Sequence, residues 1–228
     1  MTLTLYIHPL ASFCHKVLIG LYENATPFET AIVDFADPGS AASLFDQWPV
    51  GKIPVLRDSA RDQTVPETSI IIDYLQAHYP GPLRLLPDDP DAMLQVRLWD
   101  RFYDLYVSVP MQKIVTDRLR PAGASDPHGV AEARATLDMA YSMIETQLQG
   151  KSWACGEDFS MADCAALPAL FFGHIVQPFA PDQTRLAAYL ERLLARPSVA
   201  RVIAEAQPWF TYFPYHDAMP ARFRAAKP

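Results

Sequence analysis

Apolar and polar residues alternate with a period of two along Leu3-Thr4-Leu5-Tyr6-Ile7, and the alternation stops at His8-Pro9. That is the pattern of a half-buried strand running into a loop. Val17, Leu18, Leu21 and Tyr22 then recur at helical spacing up to Glu23-Asn24, and alternation returns at Phe28, Thr30 and Ile32. Strand, helix, strand reads as one βαβ unit with a parallel strand pair. A loop rich in Asp, Pro and Gly follows. Gly51-Lys52-Ile53-Pro54-Val55-Leu56 leads into a third strand, the polar stretch from Asp58 to Gln63 reads as a hairpin turn, and Thr64-Val65 as a short fourth strand. Glu67 to His78 predicts a helix, which Tyr79-Pro80-Gly81-Pro82 ends.

The period changes near residue 85. Pro80 to Pro90 carries four prolines, with Leu83, Leu85 and Leu86 expected to pin the segment down. Beyond it only helical patterns appear. Leu94, Leu98, Phe102, Leu105 and Val109 form a stripe of period 3.6, read as the core face of one long helix. Further helices are expected over 130–148, 161–172, 186–194 and 198–206. The chain therefore divides into an α/β domain over 1–82, a linker over 83–90 and an all-helical domain over 91–228. Asp88-Asp89-Pro90-Asp91 reads as the N-cap of the first long helix.

Composition narrows the function. The chain has 228 residues, 50% hydrophobic and 20% charged, which fits a globular protein with a real core. A net charge of -7 argues against nucleic acid as a partner, since phosphate binding needs a basic face. The longest apolar run, Cys164 to Gly173, is well short of the roughly 18 residues of a membrane span. The first residues lack the pattern of a secretory leader, and three cysteines make no disulfide framework, so a cytoplasmic location is expected. G-x-G-x-x-G, P-loop and G-x-S-x-G motifs are absent, and neither histidines nor cysteines have metal-ligand spacing, so no metal is expected.

Three segments remain. Pro9 to Val17 lies between the first strand and the first helix, and carries Ser12 and Cys14. Small hydroxyl and thiol side chains at a helix N-terminus suit an anion such as a thiolate. They equally suit a cap and a buried apolar thiol. Ile53-Pro54 opens a strand; a cis bond there would turn the Ile53 backbone toward a peptide-like ligand, whereas an ordinary strand start carries no function. Pro66-Glu67-Thr68-Ser69 starts a helix, where a carboxylate and a hydroxyl can grip the ammonium and carboxylate of an amino acid or simply cap. His15 and Lys16 are expected to face solvent or a helix contact.

These segments, in this order, resemble the glutathione S-transferase family, and the resemblance spans essentially the whole chain. It implies a thioredoxin-like N-terminal domain followed by an all-α C-terminal domain. It also implies a cis-proline at Ile53-Pro54, an acidic–hydroxyl pair at Glu67-Thr68, and Lys52 beside the glycyl carboxylate of glutathione. Phe159-Ser160-Met161-Ala162-Asp163 matches the family's capping box with its hydrophobic staple. In serine-type members the activating hydroxyl comes from the loop before the first helix, often one of two adjacent serines. Here the first position is Ala11 and the second Ser12, so Ser12 is the candidate for thiol activation and Cys14 the alternative.

The function implied is attack of a glutathione thiolate on a small hydrophobic electrophile, by a homodimer. A non-catalytic binding module and a thiol reductase acting through Cys14 are the alternatives. Trp99, Tyr103 and Tyr106 are candidates for an electrophile pocket wall or for ordinary packing.

Overall fold

The computed structural model describes residues 2–224. Two compact units divide at Leu86–Pro87. In the first, β1 (Leu3–Ile7) leads to α1 (Ser12–Glu23), β2 (Glu29–Ile32), α2 (Pro38–Gln47), β3 (Val55–Asp58), β4 (Gln63–Pro66) and α3 (Thr68–His78). The four strands form one sheet in the order β2-β1-β3-β4. β1 and β2 are parallel, as the βαβ pattern predicts; the β1–β3 and β3–β4 pairs are antiparallel. Leu3, Leu5 and Ile7 of β1 are buried, so the period-two pattern is the core face of the strand.

The helix α2 was expected as a loop. Asp37 caps it by accepting from the amides of Gly39 and Ser40, and Pro38 stands in its first turn, where a missing N–H costs nothing. Its one buried residue is Leu44, which enters a small cluster with Val33 and Val55. A helix that buries a single side chain leaves almost no periodic signal. The end of this unit is held firmly. Gln76 of α3 both donates to the Leu86 carbonyl and accepts from the Leu86 amide, at 2.8 and 2.9 Å. Gly20 of α1 lets Leu85 approach so closely that an added Cβ would lie 3.2 Å from its methyl group. Thus 83–86 pack with the α/β unit and do not form a loose linker.

The second unit is helical: α4 (Pro90–Phe102), a π-helical stretch (Tyr103–Ser108), α5 (Val109–Asp117), α6 (Pro127–Gln147), α7 (Met161–Val176), α8 (Thr184–Leu194) and α9 (Pro197–Ala206), followed by short 3₁₀ turns. Asp89 caps α4, accepting from the Ala92 amide at 2.8 Å. Among the described residues beyond 86, only one isolated bridge, Trp153–Gly156, has strand-like pairing. The π-helical stretch has a sequence cause. Pro110 has no N–H for the helical ladder, and the preceding turn widens so that the Val109 amide bonds Asp104, five residues back.

The stripe read as a core face is corrected by the structure. Leu94, Leu98, Leu105 and Val109 are exposed, Leu94 by 63%, and of that stripe only Phe102 is buried. The packed face instead carries Val96, Trp99, Phe102, Tyr103, Val107, Met111 and Ile114. Leu94 and Leu98 precede the π-helical stretch and lie on the side of α4 away from Val96 and Trp99, so apolar character alone did not mark the packed face; the stretch then shifts the angular positions of the residues that follow it. No helix among the described residues is long and apolar enough to cross a membrane.

Candidate functional site

Strand register gathers the three sequence segments at one end of the sheet. Tyr6 at the end of β1 pairs with Val55 at the start of β3, and Val55 pairs with Pro66 at the end of β4. The loop leading to Ser12, the Ile53-Pro54 segment and the Glu67-Thr68 turn therefore converge, though they are up to 56 positions apart in sequence. Two helix N-termini, those of α1 and α3, open at this same end. Their N-terminal amides and aligned dipoles favour negative charge there.

Each start has its own geometry. α1 begins with Ala11 at the N-cap, which has no side chain to offer, and Ser12 as the first helical residue, 7% exposed. His8 shapes the loop before it: the Leu10 amide donates to its Nδ1 at 3.2 Å, and burial lowers its pKa despite the opposing charge of Asp34. At α3 the N-cap is Glu67, held at φ 68° and ψ 120°. A non-glycine residue in this left-handed region is strained, and such strain gathers at ligand sites. The Glu67 side chain makes no capping bond and is exposed, while Thr68 beside it is buried. The Ile53–Pro54 bond is cis, with Pro54 buried, Ile53 half-buried and Lys52 exposed.

Cys14 does not fit the role held open for it. It is fully buried on the inner face of α1, and burial pushes its thiol up to about 12. A buried thiol that stays protonated at neutral pH is no nucleophile. His15 and Lys16 were expected at solvent or a helix contact; both are fully buried, which rules out solvent, and Lys16 makes the helix contact. The His15 Nε2–H donates to the Pro9 carbonyl, and burial pulls its pKa down to about 4, so the ring is neutral. The Lys16 ammonium donates to Ser69 Oγ of α3 at 3.0 Å. The signal for this burial was present: α1 is apolar nearly all round, so its polar residues go into the core with it.

The family's models for the N-terminal and C-terminal domains of glutathione S-transferase match residues 5–83 and 103–197. The chain belongs to the glutathione S-transferase family. A relative from Escherichia coli K12, "Glutathione S-transferase GstB", is 26% identical over 191 residues, covering 82% of this chain and 91% of its own. "FtsZ-localized protein A" of Caulobacter vibrioides is 28% identical over 226 residues, covering 94% and 96%. A solved glutathione S-transferase from Methylobacterium radiotolerans, in complex with glutathione sulfonate, is 27% identical with a TM-score of 0.77, covering 88% and 93%. The thioredoxin-like plus helical architecture is thus that of the family.

In the helical unit the family's capping box forms at the start of α7. The Asp163 carboxylate accepts from the amide and hydroxyl of Ser160, at 2.8 and 3.0 Å, from the Ala154 amide at 2.8 Å and from the Tyr189 hydroxyl. Phe159 is buried edge-on to Trp153, with the Arg196 guanidinium 3.9 Å from the Phe159 ring centre. Tyr103 is fully buried core, Trp99 is nearly so, and Tyr106 is exposed. Among the described residues no group of three His, Cys, Asp or Glu could hold a metal ion.

Proposed function

We propose that this protein binds glutathione at the converging end of the sheet and activates its thiol for attack on a small hydrophobic electrophile, as a cytoplasmic homodimer. The observation that carries the reading is Glu67, a strained, exposed N-cap that caps nothing and stands next to a buried threonine. Its carboxylate takes the γ-glutamyl ammonium, while the Thr68 hydroxyl and the α3 amides take the α-carboxylate. The Ile53 backbone pairs with the tripeptide, and Lys52 meets the glycyl carboxylate. The sulfur then lies toward the start of α1, near Ser12.

The magnitudes are adequate. A free thiol has a pKa of about 8.5, and lowering it by two units takes about 2.7 kcal/mol. A helix N-terminus contributes roughly 1 kcal/mol and a charge-assisted hydroxyl bond about 1.5 kcal/mol more. Neither a metal nor a basic side chain is required for ionisation, so Ser12 suffices despite Ala11. The dimer reading draws support from the exposed apolar residues Leu94 and Leu98 of α4 and Met139 and Met143 of α6, which a second copy would cover.

A second reading is a glutathione-fold binding module without transferase activity. Ala11, at the N-cap of α1, favours it, as does the likeness to a relative named for its localisation with FtsZ. The reductase reading loses its support with the burial of Cys14. Calorimetry with glutathione, followed by turnover against a panel of small electrophiles, tests the proposal. Binding with turnover supports the transferase, binding without turnover the module, and no binding at millimolar glutathione refutes both.

A further inference from the structure

Helices α7 and α8 each turn one face toward a common cavity in the helical unit. Phe171, His174 and Ile175 of α7 are spaced i, i+3, i+4, so they share one side of their helix. Ala187, Leu190, Glu191 and Leu194 of α8 share one side in the same way. The 3₁₀ turn Ala221–Phe223 closes the cavity. Its Arg222 guanidinium donates to both oxygens of the Glu191 carboxylate, at 2.9 Å to Oε2, and the Phe223 ring meets Phe171 edge-on at 5.0 Å. The cavity has a volume of about 280 Å³. An apolar cavity of about 150 Å³ already holds benzene.

The polar groups on the wall are few, and their charges cancel. Glu191 and Arg222, both exposed at the rim, neutralise each other. His174 is half-buried, and burial lowers its pKa, so the ring is neutral at pH 7. Its Nδ1 accepts from the Phe179 amide at 3.1 Å, which puts the ring proton on Nε2. Among the described residues that Nε2–H has no hydrogen-bond partner, although the ring lines the cavity.

We propose that this cavity is a ligand site of its own, taking a neutral molecule with one aromatic ring and a hydrogen-bond acceptor, to which the His174 Nε2–H donates. The aromatic ring follows from the walls, where Phe171, Phe179 and Phe223 can meet it by edge or face and Ile175, Leu190 and Leu194 supply aliphatic contact. The acceptor follows from the open Nε2–H. Neutrality follows from the ion pair. A carboxylate ligand would give up its hydration and regain a partner only by taking Arg222 from Glu191. An ammonium would meet the same obstacle at Glu191. The volume admits a ring with a short substituent. Every wall residue belongs to the helical unit, so the proposal does not depend on glutathione as a ligand.

The test titrates the full chain near neutral pH with acetophenone, with its acceptor-free counterpart ethylbenzene and with benzoate, followed by nuclear magnetic resonance. Acetophenone should bind one to one with a dissociation constant of about 0.1 to 1 mM, the range expected for so few heavy atoms. Benzoate should bind about tenfold more weakly. Ala187→Trp sets a large ring against the cavity from an exposed position, removing no buried group, and should weaken acetophenone about tenfold. In His174→Phe the ratio of acetophenone to ethylbenzene affinity should fall about fivefold, the loss expected for one hydrogen bond. If that variant does not fold, the His174 ring nitrogens of the wild type carry this arm: the Nε2 resonance should shift with acetophenone and stay in place with ethylbenzene. No saturable binding of acetophenone up to about 5 mM overturns the proposal. Binding that Ala187→Trp leaves unchanged overturns it too, since the ligand then sits elsewhere. Tighter binding of benzoate than of acetophenone overturns the neutral ligand class, and an unchanged affinity ratio or an unmoved Nε2 resonance overturns the role of His174.

Discussion

The helices α3 and α7 both start with an acidic residue beside a hydroxyl, and the two starts are used in opposite ways. At α7 the Asp163 carboxylate is fully buried and takes four hydrogen bonds from Ser160, Ala154 and Tyr189. Burial raises its pKa and those donors lower it, with burial the larger effect. At α3 the Glu67 carboxylate is exposed, its backbone lies at positive φ and it caps nothing. The first arrangement has used up its acceptor capacity inside the fold. The second holds its capacity open at the convergence of three loops. Residue type alone does not separate a structural cap from a ligand grip; what separates them is whether the fold itself supplies the donors.

The contrast can be broken most severely at α7. Asp163→Ala should destabilise the helical unit by about 3 to 4 kcal/mol, because it leaves several buried donors unpaired. Urea denaturation measures it, and a loss below about 1 kcal/mol would mean that the capping box is no linchpin.

At α3 the same kind of change should spare stability and remove binding. Glu67→Ala is expected to weaken glutathione binding by about 2 to 4 kcal/mol, through the loss of a partly desolvated charge pair. The melting temperature should hardly move. Glu67→Gly sharpens the point, since glycine accepts positive φ: it should stabilise the fold by about 1 kcal/mol while losing the ligand. A binding loss matched by an equal stability loss would place Glu67 in the same class as Asp163.

The start of α1 gives a smaller effect. Ser12→Ala should raise the pKa of the bound thiol by about one unit with little change in affinity. Cys14→Ala should leave that pKa unchanged. In the native protein Cys14 should resist thiol reagents at pH 8, because burial holds its pKa near 12, and react only on unfolding. If neither variant moves the bound thiol's pKa, the binding-module reading gains.

The smallest effect concerns Asp58, a second saturated carboxylate in the α/β unit. Burial opposes its charge, but the Tyr79 and Tyr74 hydroxyls and the Arg61 and Ala60 amides more than offset that and hold its pKa below the usual carboxylate value. A carboxyl whose pKa is depressed by folding stabilises the fold above its unfolded pKa, and that contribution fades as the pH falls through the folded value. Tyr74→Phe should therefore move the midpoint of acid unfolding upward by about half a pH unit. Unaltered acid unfolding would show that the tyrosine bond adds nothing.

Much of this protein is legible along the chain because its determinants are local. Strand β1 and helix α1 follow from periodicity, the parallel pair from the βαβ order, the start of α4 from Asp89 and Pro90, and the capping box from the spacing of Ser160 and Asp163. The helix α2 left no comparable mark, since Leu44 alone ties it to the core. The stripe from Leu94 to Val109 was misjudged on two grounds: Leu94 and Leu98 lie on the outer face of α4 although they are apolar, and the π-helical stretch breaks the period ahead of Val109. The candidate site divides along the same line. Ser12, Lys52, Ile53, Glu67 and Thr68 can be named from residue type and position, but their convergence depends on the pairing of Tyr6 with Val55 and of Val55 with Pro66.

What the amino-acid order determined by itself is therefore the kind and sequence of the elements, the change from alternating to helical period near residue 85, and the residue types offered at each helix start. What only the tertiary structure decided is which groups lie in the core and which stay open. Cys14 was a site candidate and Lys16 was expected at solvent or a helix contact; packing around α1 made the first an inert thiol and the second a buried residue bonded to Ser69 of α3. Periodicity measures a helix's own amphipathicity. Burial also depends on neighbours brought in from distant parts of the chain, and so does the electrostatic role of any charge that is buried with it.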